Sequence, residues 1–146
     1  MNRPAELLMV RAGQRLLGLP VDAVRSEVDV MDPSPVPAAG PAFRGVIPAH
    51  GRLVPLFSLG LLLDDQAVPA GDTAMGVVME LEGRALCLEV DEALAVVSET
   101  LLPVAAGAGL PWASALVERE GDFIPVLDLE LLAGQLKPLE VAGGGR

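Results

Sequence analysis

Apolar and polar residues alternate along much of the chain, which is the pattern of strands that bury one face. From Met75 to Leu81 every second residue is large and apolar, and the alternation resumes from Leu86 to Val90. Period-two alternation is typical of half-buried β-strands. Between the segments lies Glu82-Gly83-Arg84, a tight turn in which glycine can supply a positive φ. The pattern therefore predicts a β-hairpin. The same glycine-centred turn recurs at Ala12-Gly13-Gln14, His50-Gly51-Arg52 and Glu120-Gly121-Asp122.

The chain also repeats itself. The segment from Gly51 to Leu59 matches Gly121 to Leu129, with Gly, Pro and Leu at equivalent places and an offset of 70 residues. The segment from Arg15 to Asp22 matches Arg84 to Asp91 at an offset of 69 residues. Two matches in the same order and at nearly the same offset indicate an internal duplication. We therefore expect one domain over residues 1–146, with a first-half repeat of about 7–63 and a second-half repeat of about 75–133.

Two equivalent segments are apolar on both faces. They run from Leu53 to Phe57 and from Phe123 to Leu127. A strand with two apolar faces must be covered on both, so we expect a sheet packed between two other layers. Pro55 and Pro125 lie inside these segments, and proline cannot donate a hydrogen bond to a neighbouring strand. The sequence therefore predicts a sheet edge or a β-bulge at each proline.

Helices are predicted to be short. The segments from Asp22 to Val28 and from Asp91 to Val97 each begin with aspartate, a favourable N-cap, and are predicted as helices. Ser58 and Asp128 are predicted to cap the helical turns that carry the leucine pairs following them.

The remaining segments are predicted to be connectors and loops. The proline-rich stretch from Asp32 to Pro41 is expected to be extended, and residues 64–72 are expected to join the halves. The glycine-rich tail, residues 140–146, is expected to be flexible. Thr100 to Val117 carries no charge, but its prolines and glycines predict a loop rather than a membrane span.

Charge narrows the classes of partner. The 146-residue chain has a formal net charge of −10 at pH 7, and Lys137 is its one lysine. Nucleic acid and anionic membrane surfaces both require clustered basic residues, so neither is an expected partner. The start of the chain, from Met1 to Glu6, lacks the basic and apolar regions of a signal peptide. The one cysteine, Cys87, excludes an internal disulfide and is consistent with a reducing compartment.

No pattern of catalytic or metal-ligating residues is present. His50 is the one histidine and Cys87 the one cysteine, which together cannot supply a common zinc site. Cys87 alternates with apolar neighbours and is predicted to be packed. The acid pairs Asp64-Asp65 and Glu118 with Glu120 are predicted to be solvated, because no other chemistry converges on them. The chain is therefore not expected to be an enzyme or to bind a cofactor.

An ordered set of motifs resembles the CheW-like family of bacterial signalling adaptors. The family carries a Leu-Pro-Val-Asp-like segment, a proline-rich connector, a Gly-Val-Ile segment, an Asn-Leu-Arg-Gly turn, a Val-Pro strand, a Leu-x-Val-Asp segment and a closing Leu-Asp-Leu motif. The resemblance extends from Leu7 to Leu132. The matching segments are Leu19-Pro20-Val21-Asp22, Pro41-Ala42-Phe43, Gly45-Val46-Ile47, Gly51-Arg52-Leu53-Val54-Pro55, Leu88-Glu89-Val90-Asp91 and Leu127-Asp128-Leu129-Glu130-Leu131-Leu132.

The resemblance implies a fold class, partners and a place in the cell. The implied fold is mainly β, with two intertwined five-stranded β-barrel subdomains and a few short helices. The implied function is that of a non-catalytic, cytoplasmic adaptor for chemotaxis or a related pathway. Its implied partners are the regulatory domain of a CheA-type histidine kinase and the cytoplasmic tip of a chemoreceptor. The alternative is a CheW-like structural subunit of another motility or signalling complex that has no kinase partner.

Partner binding is expected to be mainly apolar, through a β-surface that receives amphipathic helices. The candidate residues are Val24, Val28, Val46, Val96 and Val97, together with His50 and Arg52 in the first-half turn. The alternative for each valine is that it belongs to the core.

The family's Asn-Leu-Arg-Gly turn differs in this chain, where it is Pro48-Ala49-His50-Gly51. His50 stands at the arginine position, and imidazole is shorter than guanidinium and lacks its permanent charge and planar fork of donors. Pro48 removes a backbone donor and stiffens the turn. Two hypotheses follow: the usual kinase or array contact is weakened or re-specified, or His50 is a solvated turn residue without a role.

Overall fold

The computed structural model describes residues 4–30, 42–63, 75–104 and 111–134. Ten strands dominate these residues, with one 3-10 turn at Val21–Ala23, one short helix, α1, at Leu59–Leu63, and a further helical turn at 129–134. The strands are β1 Pro4–Ala12, β2 Arg15–Pro20, β3 Val24–Asp29, β4 Phe43–Ala49, β5 Arg52–Ser58, β6 Met75–Leu81, β7 Arg84–Val90, β8 Glu92–Thr100, β9 Ala113–Arg119 and β10 Asp122–Leu127.

The strands form two five-stranded sheets that exchange elements between the halves of the sequence. Sheet I has the order β8-β1-β2-β10-β9, and sheet II has the order β3-β6-β7-β5-β4. Replacing each strand of sheet I by its repeat equivalent, five strands away in the chain, gives sheet II in the same order. Each sheet therefore contains strands of both halves. This confirms the prediction of a mainly β, intertwined fold with five strands in each subdomain.

The register of the two sheets is equivalent residue by residue. The one parallel contact of sheet I pairs Val126 with Gly18, and the parallel contact of sheet II begins where Leu56 pairs with Cys87. These pairs are related by the offsets of the sequence repeat. The prediction of a sheet edge or a β-bulge at each proline is wrong, because Pro55 and Pro125 lie in interior strands and pair in regular register with Val46 and Leu116. Both prolines directly precede the parallel contacts, so each is paired on its antiparallel side only.

Each of the four predicted glycine turns joins two antiparallel strands. The two central residues of each turn have positive φ, for example 52° at His50 and 79° at Gly51. This backbone is that of the type I′ turn, which matches the twist of the flanking strands. The glycine turns, and the hairpin of Met75–Leu81 with Arg84–Val90, are confirmed.

Three hydrophobic clusters form the core of the described residues. One lies within sheet I and is built from Leu7, Met9, Ala115, Val117, Ile124 and Val126. One lies within sheet II and is built from Ile47, Ala49, Val54, Leu56, Val78 and Cys87. The largest cluster takes residues from both sheets, among them Leu17, Leu19, Phe57, Leu88 and Leu127. The apolar strands β5 and β10 contribute to two clusters each, which accounts for their apolar character on both faces.

The coverage of these two strands is not complete. Leu53 is 69% exposed and Phe123 is 61% exposed. The prediction that both faces are covered is therefore wrong at the first apolar residue of each strand, where the strand emerges from its hairpin turn.

The two predicted aspartate-led helices are wrong. Val24–Asp29 is strand β3, which pairs with β6, and Glu92–Thr100 is strand β8, which pairs with β1. Only the 3-10 turn at Val21–Ala23 is helical in these segments. Asp91 does not cap a helix, because its carboxylate accepts a hydrogen bond from the Gly13 amide at 3.2 Å. β-branched valines and a long partner strand outweigh the capping preference of aspartate.

The loop prediction for Thr100 to Val117 is also partly wrong, because β9 begins at Ala113. Pairing with β10 supplies the hydrogen bonds that make this apolar segment a strand. The predicted capping is confirmed: the Leu61 amide donates to Ser58 Oγ at 3.2 Å, and the Leu131 amide donates to Asp128 Oδ1 at 3.1 Å.

Three predicted connectors lie outside the described residues: Asp32 to Pro41, the joining segment 64–72 and the tail 140–146. Within the described ranges, no helix is long and apolar enough to cross a membrane.

Candidate partner-binding site

The β4–β5 hairpin positions two of the predicted site residues, His50 and Arg52, in solvent at its tip. The His50 ring nitrogen Nε2 lies 2.6 Å from Ser26 Oγ on β3. Because β3 and β4 are the two edge strands of sheet II, this hydrogen bond links one edge to the turn that follows the other. His50 thus holds the end of sheet II together rather than pointing freely outward.

A pocket of about 330 Å³ opens at this end of sheet II. Its floor is formed by Ala49, Val54, Val78 and Ala85, which belong to the sheet II core or pack against it. Its rim is formed by Arg25, His50, Arg52 and Glu80. The pocket therefore combines an apolar floor with a rim that carries more cationic than anionic side chains.

The two rim arginines differ in their partners. The Arg25 guanidinium is 3.1 Å from Glu80 Oε1 and donates to the Asp22 carbonyl oxygen at 2.8 Å. Arg52 is exposed and has no ion-pair partner in the part of the chain that the structure describes. Arg52 is thus the cation at this rim that remains available to an external carboxylate.

Sheet I differs at the equivalent end. Arg119 stands where sheet II has Ala49, and Leu16 stands where it has Ala85. Arg119 forms an ion pair with Glu99, which links the two edge strands β9 and β8. Small side chains therefore open the end of sheet II at positions where sheet I carries large ones.

The five candidate valines do not share one environment. Val28 packs against the core within sheet II, and Val97 packs against the core within sheet I. Val24 is partly buried against the largest cluster, which takes residues from both sheets. Val46 is half-buried on the face of β4 opposite the buried Ile47. Val96 is 60% exposed and Leu94 is 42% exposed, on either side of an irregularity in the pairing of β8 with β1. Their part in partner binding stays a prediction.

A buried ion pair lies at the other end of the sheet II core. The Glu89 side chain on β7 is 2% exposed, and its Oε1 is 3.1 Å from Arg44 Nε on β4. Burial raises the pKa of Glu89, the Arg44 guanidinium opposes this shift, and nearby Asp91 reinforces it. No sequence pattern singles out this pair, because Arg44 and Glu89 are 45 residues apart and their strands are joined only through β5.

Cys87 is packed, as predicted. It is fully buried, and burial raises the pKa of its thiol to about 12, with Glu89 adding to the shift. A thiol with such a pKa is inert as a nucleophile at neutral pH. No group of three or more His, Cys, Asp or Glu residues that could hold a metal ion occurs among the described residues. Glu118 and Glu120 are exposed, as expected for solvated acids.

Sequence reasoning missed the pocket itself. Its residues come from all five strands of sheet II as well as from the β4–β5 turn, so no local pattern brings them together. One signal was available: alanine at position 49, in a turn where the family carries leucine, leaves space at the end of the sheet.

Comparison with known proteins places this architecture. No curated protein matched the chain by sequence. Among solved structures, the scaffolding protein TtCheW from Thermoanaerobacter tengcongensis has a TM-score of 0.78 at 16% identity, over 86% of this chain and 90% of that one. This likeness establishes the fold. The CheW-like domain matches residues 6–137, which cover nine of the ten strands completely and β1 from its third residue. With its two exchanged five-stranded sheets and a match over nearly its whole length, this chain belongs to the CheW-like domain family.

Proposed function

We propose that the chain is a non-catalytic, cytoplasmic adaptor that couples a chemoreceptor, or a related sensor, to a CheA-type histidine kinase. The observation that carries the proposal is the CheW-like domain match over residues 6–137. The likeness to the solved structure of TtCheW, a scaffolding protein, supports it.

The candidate site supports binding of a protein partner through exposed side chains rather than catalysis. The exposed tip of the β4–β5 hairpin offers His50, Arg52 and an apolar pocket to a partner. On β8, Leu94 and Val96 expose neighbouring apolar side chains, which suits contact with the apolar face of a helix. We propose that the hairpin contacts the regulatory domain of the kinase and that the β8 face contacts the receptor tip.

The test measures binding of the full chain to the kinase regulatory domain and to a receptor-tip fragment, each by calorimetry. The Val96→Asp variant should weaken receptor binding and leave kinase binding unchanged, because it places a charge on an apolar contact. Glu27→Asp is the matched control, since Glu27 occupies the equivalent exposed position on β3. Absence of binding to either partner by the native chain would overturn the adaptor function.

The identity of residue 50 is tested by the His50→Arg variant. A charge-assisted contact made by arginine is worth about 1.5–3 kcal/mol, or about ten- to a hundredfold in affinity. We expect the variant to bind a conventional kinase regulatory domain from the same cell more tightly than the native chain does. If the native chain already binds as tightly as an ordinary relative from that cell and the arginine adds nothing, the turn has not been re-specified.

A further inference from the structure

The floor of the sheet II pocket carries smaller side chains than the equivalent positions of sheet I. The registers of the two sheets relate each floor residue to a counterpart at an offset of 69 or 70 residues. Every counterpart is larger: Arg119 for Ala49, Ile124 for Val54, Met9 for Val78 and Leu16 for Ala85. The same backbone is thus filled by side chains in sheet I and surrounds about 330 Å³ in sheet II.

The pocket has the size and the lining of a small-molecule site. Its volume of about 330 Å³ lies at the lower end of the roughly 300–1,000 Å³ that is typical of ligand pockets. Two alanines and two valines form the floor, and their side chains offer no hydrogen-bonding group. The hydrophobic effect therefore favours a compact apolar body on this floor, with any polar group of the ligand directed toward the rim.

The rim supplies one cation that the other lining side chains do not balance. Arg25 lies 3.1 Å from Glu80 Oε1 and donates to the Asp22 carbonyl oxygen, so it is held in place. Arg52 is exposed and has no ion-pair partner within the described ranges. Two arginines and one glutamate leave a single positive charge in the lining, which matches a monoanion, whereas Glu80 disfavours a second negative charge. Sheet I carries Asp122 at the position of Arg52, so the equivalent end repels an anion.

We propose that the sheet II pocket binds a small monocarboxylic acid that has a compact apolar body. The carboxylate pairs with the Arg52 guanidinium through two parallel hydrogen bonds, a geometry that guanidinium and carboxylate share. The apolar body lies on the floor between Ala49 and Ala85. The inference goes beyond the adaptor function and does not depend on it, because the chain binds this ligand without a protein partner.

The first test titrates the isotope-labelled full chain with benzoate and follows the amide signals by NMR. We expect saturable shifts from Gly51 to Val54, with a dissociation constant of about 1 mM or tighter. The equivalent amides of the second hairpin, from Gly121 to Ile124, should not shift. Benzamide keeps the ring without the charge, acetate keeps the carboxylate without the ring, and inorganic phosphate is an anion without an apolar body. Each of the three should bind about tenfold more weakly than benzoate, or less well still.

The second test changes the rim and the floor separately. Arg52→Gln should weaken benzoate binding about tenfold or more, because it removes the charge-assisted pair. Arg11→Gln is the matched control, since it makes the same change of net charge at an exposed arginine of sheet I, and it should have no effect. Ala49→Leu fills the floor and should abolish binding of benzoate, whereas Ala95→Leu adds the same bulk at an exposed position of β8 and should not. Arg52→Gln, at an exposed position, decides the test if Ala49→Leu does not fold.

Three results would overturn the proposal. The first is the absence of saturable shifts at the pocket with benzoate up to about 20 mM. The second is binding of benzamide, acetate or phosphate as tight as that of benzoate, because the ligand would then not need both the charge and the apolar body. The third is an affinity for benzoate that Arg52→Gln leaves unchanged. A chain that binds benzoate but neither adaptor partner would retain this inference and lose the adaptor function, so the two failures are distinguishable.

Discussion

Replacing Arg44 with glutamine tests whether the buried Glu89 carboxylate depends on a single cation. The Glu89 side chain is 2% exposed and lies 3.1 Å from Arg44 Nε, while the Arg44 side chain itself is 34% exposed. Glutamine removes the positive charge and keeps a polar side chain that can reach solvent. The folded chain then contains a buried carboxylate without its counter-ion, which must stay charged at a high cost or take up a proton.

Protonation of Glu89 sets an upper limit on the free-energy cost of removing its counter-ion. An ordinary glutamate has a pKa of about 4.3, and protonation at pH 7 costs about 3.7 kcal/mol, at about 1.36 kcal/mol per pH unit. Burial already raises the pKa of Glu89 in the native chain, so part of this penalty is present before the substitution. The expected loss of unfolding free energy for Arg44→Gln is therefore about 2–3 kcal/mol at pH 7.

The pH dependence has a definite sign. Because the pKa of Glu89 is raised in the folded chain, the folded state holds the proton more tightly than the unfolded state. The stability that Glu89 contributes is then greatest at pH values below its pKa in the unfolded chain. It falls as the pH rises through the pKa of Glu89 in the folded chain. Removing Arg44 raises the pKa of Glu89 in the folded chain further. The loss of unfolding free energy caused by Arg44→Gln should therefore shrink to about 1 kcal/mol or less at pH 5.

Urea denaturation at pH 5 and pH 7 measures these differences in four chains: the native protein, Arg44→Gln, Glu89→Gln and the double variant. Glu89→Gln should lie within about 1 kcal/mol of the native protein, because it removes the buried charge and keeps the shape. The double variant should recover most of the loss caused by Arg44→Gln. A loss that is equal at both pH values, or a double variant as unstable as Arg44→Gln, would refute the reasoning.

Three further predictions concern packing and capping. Gly76→Ala should lower the unfolding free energy by about 1–3 kcal/mol in urea denaturation, because the new Cβ would lie 2.4 Å from Cys87 Sγ. Adding Cys87→Ala should recover part of this loss. No recovery would show that the clash lies elsewhere. The Cys87 thiol should react with a maleimide only as the chain unfolds, since it is buried with a pKa of about 12; rapid labelling in native buffer would contradict this. Asp128→Ala should cost about 1 kcal/mol in thermal melts, whereas Asp128→Asn, which keeps the acceptor for the Leu131 amide, should cost less.

Local sequence patterns predicted the hairpins and the helical turns capped by Ser58 and Asp128, but they failed for the two aspartate-led helices. Period-two alternation and a central glycine are properties of a hairpin itself, so the turn at Gly83 and its two strands needed no other part of the chain. The segments after Asp22 and Asp91 became strands because distant partners, β6 and β1, compete with the local preference for a helix. Such competition leaves no local signal.

For the same reason, local sequence patterns predicted only part of the candidate site. The departure at His50 and its neighbours could be found from the motif alone, and the structure places that residue at the pocket rim. The pocket floor and the Arg44–Glu89 pair depend on strands that meet only in the folded chain. Their residues are ordinary in sequence, and only their juxtaposition gives them a role.

The duplication supplies a symmetric backbone, and the side chains at equivalent positions make the two sheets different. In sheet I the pair Leu7 and Gly18 places the large residue on the first strand and the small one on the second. In sheet II the equivalent pair is Gly76 and Cys87, with the sizes reversed. This reversal keeps the side chains closely packed and moves the larger side chain from the first strand of the pair to the second.

The same exchange of volume at the sheet ends creates the pocket of sheet II. Leu16 and Arg119 fill one end of sheet I, whereas Ala85 and Ala49 leave the corresponding end of sheet II open. Because the strand order and register are shared, these substitutions alter the surface without a change of fold. A duplicated scaffold can therefore present an open pocket at the end of one sheet and a filled end on the other, which a strictly symmetric pair of sheets could not do.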